Sequence, residues 1–402
     1  MSTTYDKGVP AAATATAIRP PFTQEHEDLR AQIRRWVASE LVPYATQWED
    51  DRWFPNSVFD RMAELGFLGL KYPESYGGQG GDHLHQAVMA EELAWCGSGG
   101  LAAGVGAHMD IATPPVFKFG TEDQKQRYLV PSIKGEKIAA LAITEPDAGS
   151  DVAGIRTHAK KVDGGWVVNG SKMFITNGVR AHYHVAAVKT TPEGGHGGMS
   201  FFLIDARGED GEFAPGVHAT KIEKLGWHAS DTGLISYEDV FVPDENLLGE
   251  LNKGFYLIMA NFQWERLLMA LGAVGGMQAA FEKTLEFVKE RKAFGRPIGN
   301  FQVSRHKLAE IATTIEAGRS VTYNALRLFH EGHDAVREVT MAKLATQRAC
   351  FDVIDDCLQL HGGAGYMEEY GIERAARDAR LGPIGGGTDE IMKEILGKTM
   401  GL

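Results

Sequence analysis

Apolar residues recur at helical spacing in the first and last thirds of the chain, whereas short β-branched and aromatic runs fill the middle third. Thr23, followed by acidic residues and a periodic apolar run, predicts a helix start. A second start is predicted at Thr121, where Gln124 completes a capping box and the helix runs toward Leu129. Three helices are predicted near the C-terminus, at Phe255 to about Arg291, 301–330 and 335–360.

The middle of the chain, between Ala139 and Gly249, contains several short β-rich runs separated by turn residues, among them 166–169 and 172–176 with an Asn-Gly pair between them. This pattern predicts a small sheet or barrel. Because helices and strands occur in separate runs and do not alternate, a Rossmann or doubly wound sheet is not expected. We therefore predict an α+β multidomain protein. Its expected parts are a flexible tail (1–20), an N-terminal all-α domain (21–138), a middle antiparallel β-sheet or barrel domain (139–250) and a C-terminal four-helix-bundle domain (251–402).

Composition limits the binding partners and the cellular compartment that we expect for this protein. The 402 residues include 41 Lys plus Arg and 53 Asp plus Glu, a net charge of −12, so we do not expect a nucleic-acid partner. Three sparse cysteines, Cys96, Cys350 and Cys357, provide no disulfide framework and fit a reducing compartment. No apolar stretch approaches the roughly 20 residues that span a bilayer, and the first twenty residues resemble neither a signal peptide nor a transit peptide. We expect a cytoplasmic protein without a membrane span.

A polar loop follows the predicted strand at Leu141 and extends to Asp151. The hydroxyl groups of Thr144 and Ser150 and exposed backbone N–H groups there could bind a phosphate or a heteroaromatic edge. An ordinary capped turn would show the same residues. The loop alone leaves both interpretations open.

Two features near the C-terminus also suggest chemistry. Glu265 is a lone acid among Phe262, Trp264 and Leu267 in a helical run, and it is either a buried base or an exposed or ion-paired glutamate. A pair with Arg266 is not expected, because adjacent helix residues do not face each other. Three glycines, 385–387, precede Thr388, a predicted helix cap. They form either a tight turn or a place where a ligand approaches the backbone.

Several motifs together resemble those of the acyl-CoA dehydrogenase family. The run from Thr144 to Asp151 is similar to the first signature of that family, and the run from Gln359 to Tyr366, with Glu369, Arg374 and Asp378 after it, matches the second. The segments 65–81 and 290–298 also resemble family segments. The resemblance covers roughly residues 22–400 with the motifs in order, and it implies the acyl-CoA dehydrogenase fold.

The resemblance implies FAD as the cofactor. It places Thr144 and the backbone near Ile143 at the flavin pyrimidine, and Phe174 and Thr176 against the ring; many relatives have tryptophan where this chain has Phe174. A core aromatic is the alternative for Phe174. The implied FAD-binding residues are Leu141, Ile143, Thr144, Gly149, Ser150, Phe174, Thr176, Arg291, Phe294, Gln302, Gln359, Gly362, Gly363, Thr388 and Glu390.

Five of these positions, Arg291, Phe294, Gln302, Gln359 and Gly363, match family positions that reach the FAD of a neighbouring subunit. An arginine there suits pyrophosphate, because its guanidinium is a permanent fork-shaped donor. The resemblance therefore implies a homo-oligomer, a tetramer built as a dimer of dimers. It also implies electron-transfer flavoprotein as the electron acceptor.

The family takes its catalytic base from one of two positions, which are occupied here by Gly386 and Glu265. The resemblance thus implies the minority branch, with long-chain and isovaleryl-type members, in which the helix glutamate is the base. Glu265 would remove the α-proton of an acyl-CoA, the Gly386 N–H would bind the thioester carbonyl, and flavin N5 would accept the hydride. The product would be a trans-2-enoyl-CoA.

Substrate contacts are implied for Ser150, Arg266, Ala103 and Ala107. The small residues of 97–107 match a segment that lines the acyl pocket, which suggests a deep or wide pocket for a long or branched chain. Close helix packing at small residues is the alternative.

Other functions within the same fold are a flavin monooxygenase or oxidase and a non-catalytic acyl-CoA-binding flavoprotein. A nicotinamide site is not supported, because the pair Gly104 and Gly106 lacks a third glycine and a preceding strand. The histidines lack zincin spacing, so no metal is expected.

Overall fold

The computed structural model describes residues 18–191 and 194–402. The predicted tail, 1–20, lies almost entirely outside the described residues. The α-helices are α1 (Gln24–Trp36), α2 (Ala45–Asp50), α3 (Ser57–Glu64), α4 (His83–Leu93), α5 (Gly99–Gly106), α6 (Thr113–Phe119), α7 (Glu122–Gln124), α8 (Val130–Ile133), α9 (Gly254–Glu290), α10 (Gln302–His330), α11 (Val336–His361), α12 (Ile372–Ala379) and α13 (Asp389–Thr399).

The strands lie between α8 and α9, apart from one short hairpin after α9. They are β1 (Ala139–Ala142), β2 (His158–Val162), β3 (Gly165–Thr176), β4 (Tyr183–Lys189), β5 (Met199–Asp205), β6 (Val217–Lys221), β7 (Thr232–Pro243), β8 (Leu247–Leu248), β9 (Lys292–Ala293) and β10 (Arg296–Pro297). The order of a helical, a strand-rich and a second helical region confirms the predicted fold class.

Both predicted helix starts in the N-terminal region are present. Thr23 and His26 form the box that opens α1, whose apolar face buries Ile33 and Trp36. Thr121 and Gln124 form the second box, but α7 is a single turn that continues as a π-helix over Lys125–Leu129. The capping residues therefore predicted where these helices begin, and not their type.

The main sheet has eight strands in the order β6-β7-β3-β2-β4-β5-β8, with β1 beside β4. Most neighbours are antiparallel, as predicted, whereas β1 runs parallel to β4. Two runs predicted as separate strands form the single strand β3, which shifts register near Gly170 and Phe174. Both residues have positive φ, at 139° and 62°. These bulges turn the Phe174 side chain out of the regular alternation.

The long C-terminal helices α9, α10 and α11 agree closely with their predicted ranges. Their shared core includes Val274, Ile311 and Val353. The N-terminal turns of α9 pack differently, because Leu257 and Ile258 join a cluster with Phe201 of the sheet. Helix α9 therefore passes from the sheet into the helical core, and the candidate site lies where it meets the sheet.

Buried carboxylates tie the three regions together. Asp378 of α12 accepts hydrogen bonds from the N–H of Gly99, at 2.9 Å, and of Trp227, at 2.6 Å. Glu49 accepts the N–H of Ala229 at 3.1 Å. Within the described residues, no helix combines the length and the apolar character needed to cross a bilayer.

Candidate active site

Glu265 is buried on α9, with 8% of its surface exposed, so the exposed alternative is wrong. Its Oε1 accepts a hydrogen bond from Asn261 Nδ2 at 2.5 Å, one turn earlier on the helix. In the described part of the chain, no lysine or arginine nitrogen lies within 4.0 Å of its carboxylate. Glu265 therefore forms no ion pair with Arg266, as predicted for adjacent residues of a helix. Burial raises the pKa of Glu265 to about 7, against the lowering effects of Asn261 and of the Arg266 charge.

A small, mainly apolar cavity contains this carboxylate. Leu141 and Ile143, at the end of β1, line it together with Glu265. The other lining residues are Pro115, Phe201, Leu257, Ile258, Asn261 and Phe262. Glu265 is the sole acid among the described residues that line the cavity. The structure thus brings a carboxylate of raised pKa to the strand end that precedes the polar loop.

The glycine loop lies against the same part of α9. Arg266 Nε donates to the Gly386 carbonyl at 3.4 Å, and a Cβ added to Gly386 would lie 2.4 Å from Met269 Sδ. Met269 follows Glu265 by one turn, so the loop lies beside the turn that carries Glu265. Gly386 has φ of +62° and is exposed. Backbone conformation therefore favours glycine at position 386, and a side chain there would have to displace the flexible end of Met269.

Thr388 caps α13 through a 3.3 Å hydrogen bond from the N–H of Ile391. This confirms the predicted cap and one role of the preceding turn. Glu390, in the first turn of α13, is exposed.

The polar loop after β1 is anchored from β3. Buried Lys172 donates to the Ile143 carbonyl at 3.0 Å and to Glu145 at 2.8 Å, while the N–H of Met173 donates to the Thr144 carbonyl at 2.8 Å. Glu145 also accepts the N–H of Thr157 at 2.9 Å. These contacts fix the backbone of the loop beside the cavity.

Three hydroxyl groups around this loop make no hydrogen bond to the residues that the structure describes. Within the described residues, the side chains of Thr144, Ser150 and Thr176 make no hydrogen bond; Gly149 and Ser150 are exposed. Phe174 is 60% exposed, so the core alternative is wrong for this residue. Free hydroxyls beside an exposed aromatic ring and apolar side chains fit a flat heteroaromatic group.

Comparison with known proteins identifies the family. The N-terminal, middle and C-terminal domain models of acyl-CoA dehydrogenase match residues 23–136, 140–240 and 252–401. The chain belongs to the acyl-CoA dehydrogenase family. Members are flavin-dependent oxidoreductases that use FAD, with which the free groups around Thr144 are compatible.

Individual relatives resemble this acyl-CoA dehydrogenase over nearly its whole length. The mitochondrial long-chain specific acyl-CoA dehydrogenase of Mus musculus is 39% identical over 388 residues, which is 96% of this chain and 88% of the relative. The mitochondrial isovaleryl-CoA dehydrogenase of Solanum tuberosum is 36% identical over 381 residues, 94% of this chain and 91% of the relative. The crystal structure of acyl-CoA dehydrogenase from Geobacillus kaustophilus superimposes with a TM-score of 0.91 at 40% identity. It covers 95% of this chain and 100% of that one.

The remaining FAD-binding residues implied by the resemblance lie around the C-terminal end of α9, where Phe287 stacks on His361 and the N–H of Ile298 donates to the Arg291 carbonyl. At about 1.5 Å per residue, α9 places its C-terminal end, next to Arg291, about 38 Å from Glu265. Phe294 is 96% exposed. The others are also exposed, namely Arg291, Gln302, Gln359, Gly362 and Gly363. Within a single chain, the predicted FAD-binding residues therefore form two distant groups, one near Glu265 and one near Arg291.

Close packing against neighbouring elements explains some of the small residues of α5. A Cβ on Gly104 would lie 2.6 Å from Phe54, and one on Gly100 would lie 2.8 Å from the Trp227 backbone. At Gly106 an added Cβ would meet no heavy atom of the described residues within 4 Å, apart from the backbone of its own helix. Ala107 is buried and Ala103 half-buried. Close packing thus explains the glycines at 100 and 104. It does not explain Gly106, beside which there is open space.

Sequence reasoning missed three polar partners of the site. Asn261 had a usable signal, since it precedes Glu265 by four residues on the same helix face. Lys172 and Lys343 had none, because their partners are distant along the chain. Lys343 donates to the Gly387 carbonyl at 2.6 Å.

Outside this site, potential metal-binding atoms of His26, Asp82 and His85 lie within 4.8 Å of one another. His26 and His85 each complete a capping box, with Thr23 and Asp82 respectively. Helix capping accounts for this cluster, and we assign no metal to it.

Proposed function

We propose that this acyl-CoA dehydrogenase removes the α-proton of an acyl-CoA thioester with Glu265 and forms a trans-2-enoyl-CoA. The observation that carries this proposal is the buried Glu265 carboxylate in the cavity beside Leu141 and Ile143. A carboxylate with a pKa near 7 is a stronger base than an ordinary glutamate and is still largely ionised above neutral pH. Asn261 orients it through a hydrogen bond to Oε1.

The enolate that forms on proton removal needs hydrogen-bond donors at the thioester oxygen. We assign this role to the Gly386 N–H, which has no acceptor within the described residues. Arg266 holds the Gly386 carbonyl and so supports the loop from α9. A direct contact of Arg266 with the acyl-CoA is part of the same proposal.

FAD, when bound, supplies the acceptor for the hydride that leaves the β-carbon. We propose that it is held by the residues around β1 and β3, in particular Thr144, Phe174 and Thr176. Their free hydroxyl groups and the exposed Phe174 ring support this assignment. Thr388, Glu390, Gly149 and Ser150 belong to the same proposed set.

We further propose that Arg291, Phe294, Gln302, Gln359 and Gly363 serve the FAD of a neighbouring subunit. Their exposure and the length of α9 support this, because they cannot reach the Glu265 cavity of their own chain. The assembly proposed is a homotetramer, a dimer of dimers. The proposed electron acceptor is electron-transfer flavoprotein, on the strength of family membership.

For the acyl group we propose a long or branched chain. The support is the space beside Gly106 and the similarity to long-chain and isovaleryl-CoA dehydrogenases. In this proposal Ala103 and Ala107 line the acyl end of the site, and Ser150 contacts the CoA portion.

The decisive experiment is an anaerobic titration of the flavin-loaded protein with saturated acyl-CoAs of graded length and branching, followed by flavin absorbance. Wild type is expected to bleach, with long or branched thioesters most effective. Glu265→Gln should slow bleaching by at least about 10³-fold while retaining flavin. Glu286→Gln, an exposed change on the same helix, is the matched control and should behave as wild type.

Two results would overturn the proposal. Bleaching that persists in Glu265→Gln would show that another group is the base. No bleaching by any thioester, with flavin bound, would favour an oxidase, a monooxygenase or a non-catalytic binding protein.

A further inference from the structure

Lys343, on α11, is a wholly buried lysine beside the glycine loop. Its ammonium donates to the Gly387 carbonyl at 2.6 Å. Within the described residues, no carboxylate oxygen lies within 4.0 Å of it. Burying an ammonium without a directly paired carboxylate has a substantial free-energy cost, so this placement calls for a functional explanation.

The charged groups around Lys343 come from the helices packed on α11. Asp389 and Glu390, at the start of α13, raise its pKa, while Arg266 of α9 lowers it. Burial is the largest influence and lowers the pKa of Lys343 to about 8. Arg348 lies nearby on α11, but it pairs with the Asp389 carboxylate at 2.7 Å.

The loop that Lys343 contacts has little else to define its conformation. Three consecutive glycines carry no side chains, and Gly386 and Gly387 have φ of +62° and +93°. Two cations bind successive carbonyls, Arg266 at Gly386 and Lys343 at Gly387. Such residues can rotate their peptide groups at little cost unless the carbonyls are fixed.

The amide groups of the loop divide into used and free ones. The N–H groups of Ile384 and Gly385 donate to the Leu381 carbonyl, and that of Asp389 donates to Pro383. Those of Gly386 and Gly387 have no acceptor in the part of the chain that the structure describes. With the carbonyls turned to the two cations, the free N–H groups remain available to a ligand.

We propose that Lys343 is a positioning residue. By holding the Gly387 carbonyl, it fixes the glycine loop so that the Gly386 N–H is already directed at the thioester oxygen as charge develops there. This inference rests on the proposed role of Gly386. Pre-organised donors stabilise the developing oxyanion because they need no reorientation during the reaction.

The test compares Lys343→Met, which keeps an unbranched stem and loses the donor, with Arg348→Met. The latter removes a cation of the same helix that contacts a carboxylate and not the loop backbone. We expect Lys343→Met to lower the limiting rate of flavin reduction at saturating acyl-CoA by about 10- to 100-fold. Acyl-CoA Kd should change less than about threefold, and flavin content should stay the same. Arg348→Met should keep the wild-type rate.

If Lys343→Met does not retain flavin, Lys343→Gln serves instead, since it replaces the charged donor by a shorter, neutral and weaker one. The wild-type limiting rate should decline as pH rises through about 8, where Lys343 loses its charge and becomes a weaker donor to the Gly387 carbonyl. That decline should be absent in Lys343→Gln, whose rate should lie below that of wild type at pH 7.

The inference and the function on which it rests fail separately. Bleaching in wild type that Glu265→Gln abolishes establishes the reaction without reference to Lys343. A flavin-loaded Lys343→Met or Lys343→Gln protein with the wild-type limiting rate and pH profile would then overturn the Lys343 inference alone.

Discussion

Glu265 acquires its raised pKa from its surroundings, because the cavity removes water from the carboxylate while no lysine or arginine among the described residues is close enough to form an ion pair. Asn261 offsets part of this effect through its hydrogen bond. The balance leaves a carboxyl group that titrates near neutral pH. A group of this kind should also influence the stability of the protein.

The folded pKa of Glu265, about 7, lies above the ordinary value of 4.5, so between these values the folded state binds more protons than the unfolded state. Its stabilising contribution is complete below pH 4.5 and is lost as pH rises through 7. Glu265→Gln removes this loss of stability, because glutamine does not ionise. We expect the variant to have a free energy of unfolding up to roughly 3 kcal/mol above wild type at pH 8, and nearly equal to it at pH 4.5.

Denaturant unfolding at both pH values measures the difference. Glu286→Gln, in which the glutamate is exposed, should show no such pH-dependent gain. An equal effect of Glu265→Gln at both pH values would contradict the burial argument.

At the scale of elements, α9 and the glycine loop form a complementary pair. Met269 occupies the space into which a side chain at position 386 would extend. A carboxylate on the helix is therefore combined with a loop position where a side chain would need a positive φ and a shift of Met269. Both requirements work against a simple exchange of the two positions.

We expect the exchange Glu265→Gly with Gly386→Glu to give less than about 1% of wild-type flavin reduction. The new side chain meets Met269 Sδ and must adopt a positive φ. Adding Met269→Ala to this double variant should raise its rate of flavin reduction at least about tenfold, because it opens the space beside position 386. Stopped-flow reduction by the best acyl-CoA measures all three proteins. Full activity of the double variant would show that Met269 does not obstruct the loop position.

The elements that the sequence predicted well are those with local signals. Helix α9 was predicted from Phe255 to about Arg291, because its apolar pattern is long and the glycine and proline after it stop a helix. Strand β3 was predicted as two runs because Asn169 and Gly170 are typical turn residues, whereas the structure continues the strand through a bulge there. A strand was predicted at Leu141, but the parallel pairing of β1 with β4 had no local signal, since strand pairing depends on distant segments.

The same distinction applies to the site. The apolar residues around Glu265 indicated a buried acid, and burial is what the structure shows. The meeting of α9 with Gly386 joins residues far apart in the chain, and only the resemblance to a family suggested it. Neither a local pattern nor the family resemblance identified Lys343, because its partner is a backbone carbonyl that no sequence pattern predicts.

On the scale of the whole molecule, buried acids of one region accept backbone hydrogen bonds from the others. Asp378 joins α12 to Gly99 and Trp227, and burial, with the nearby Glu49 charge, raises its pKa to about 7. These contacts explain physically why an aspartate follows the second signature motif. They also fix the three regions around the cavity that contains Glu265.

The length of α9 gives the proposed assembly a genetic consequence. If one end of the helix serves the site of its own chain and the other end serves a neighbour, each site draws Glu265 and Arg291 from different polypeptides. Two inactive variants can then complement each other. In a mixed dimer of Glu265→Gln and Arg291→Ala chains, one site carries both defects and the other carries neither.

Co-expression of these two variants should therefore restore about a quarter of wild-type activity when chains pair at random, although each homo-oligomer is inactive. Purification through two different tags, one on each variant, isolates the mixed assemblies for assay. Mixed assemblies without activity would place both residues in the site of a single chain. With complementation, the smallest functional unit is a pair of chains, and a single gene lesion can be masked by a different lesion in the same gene.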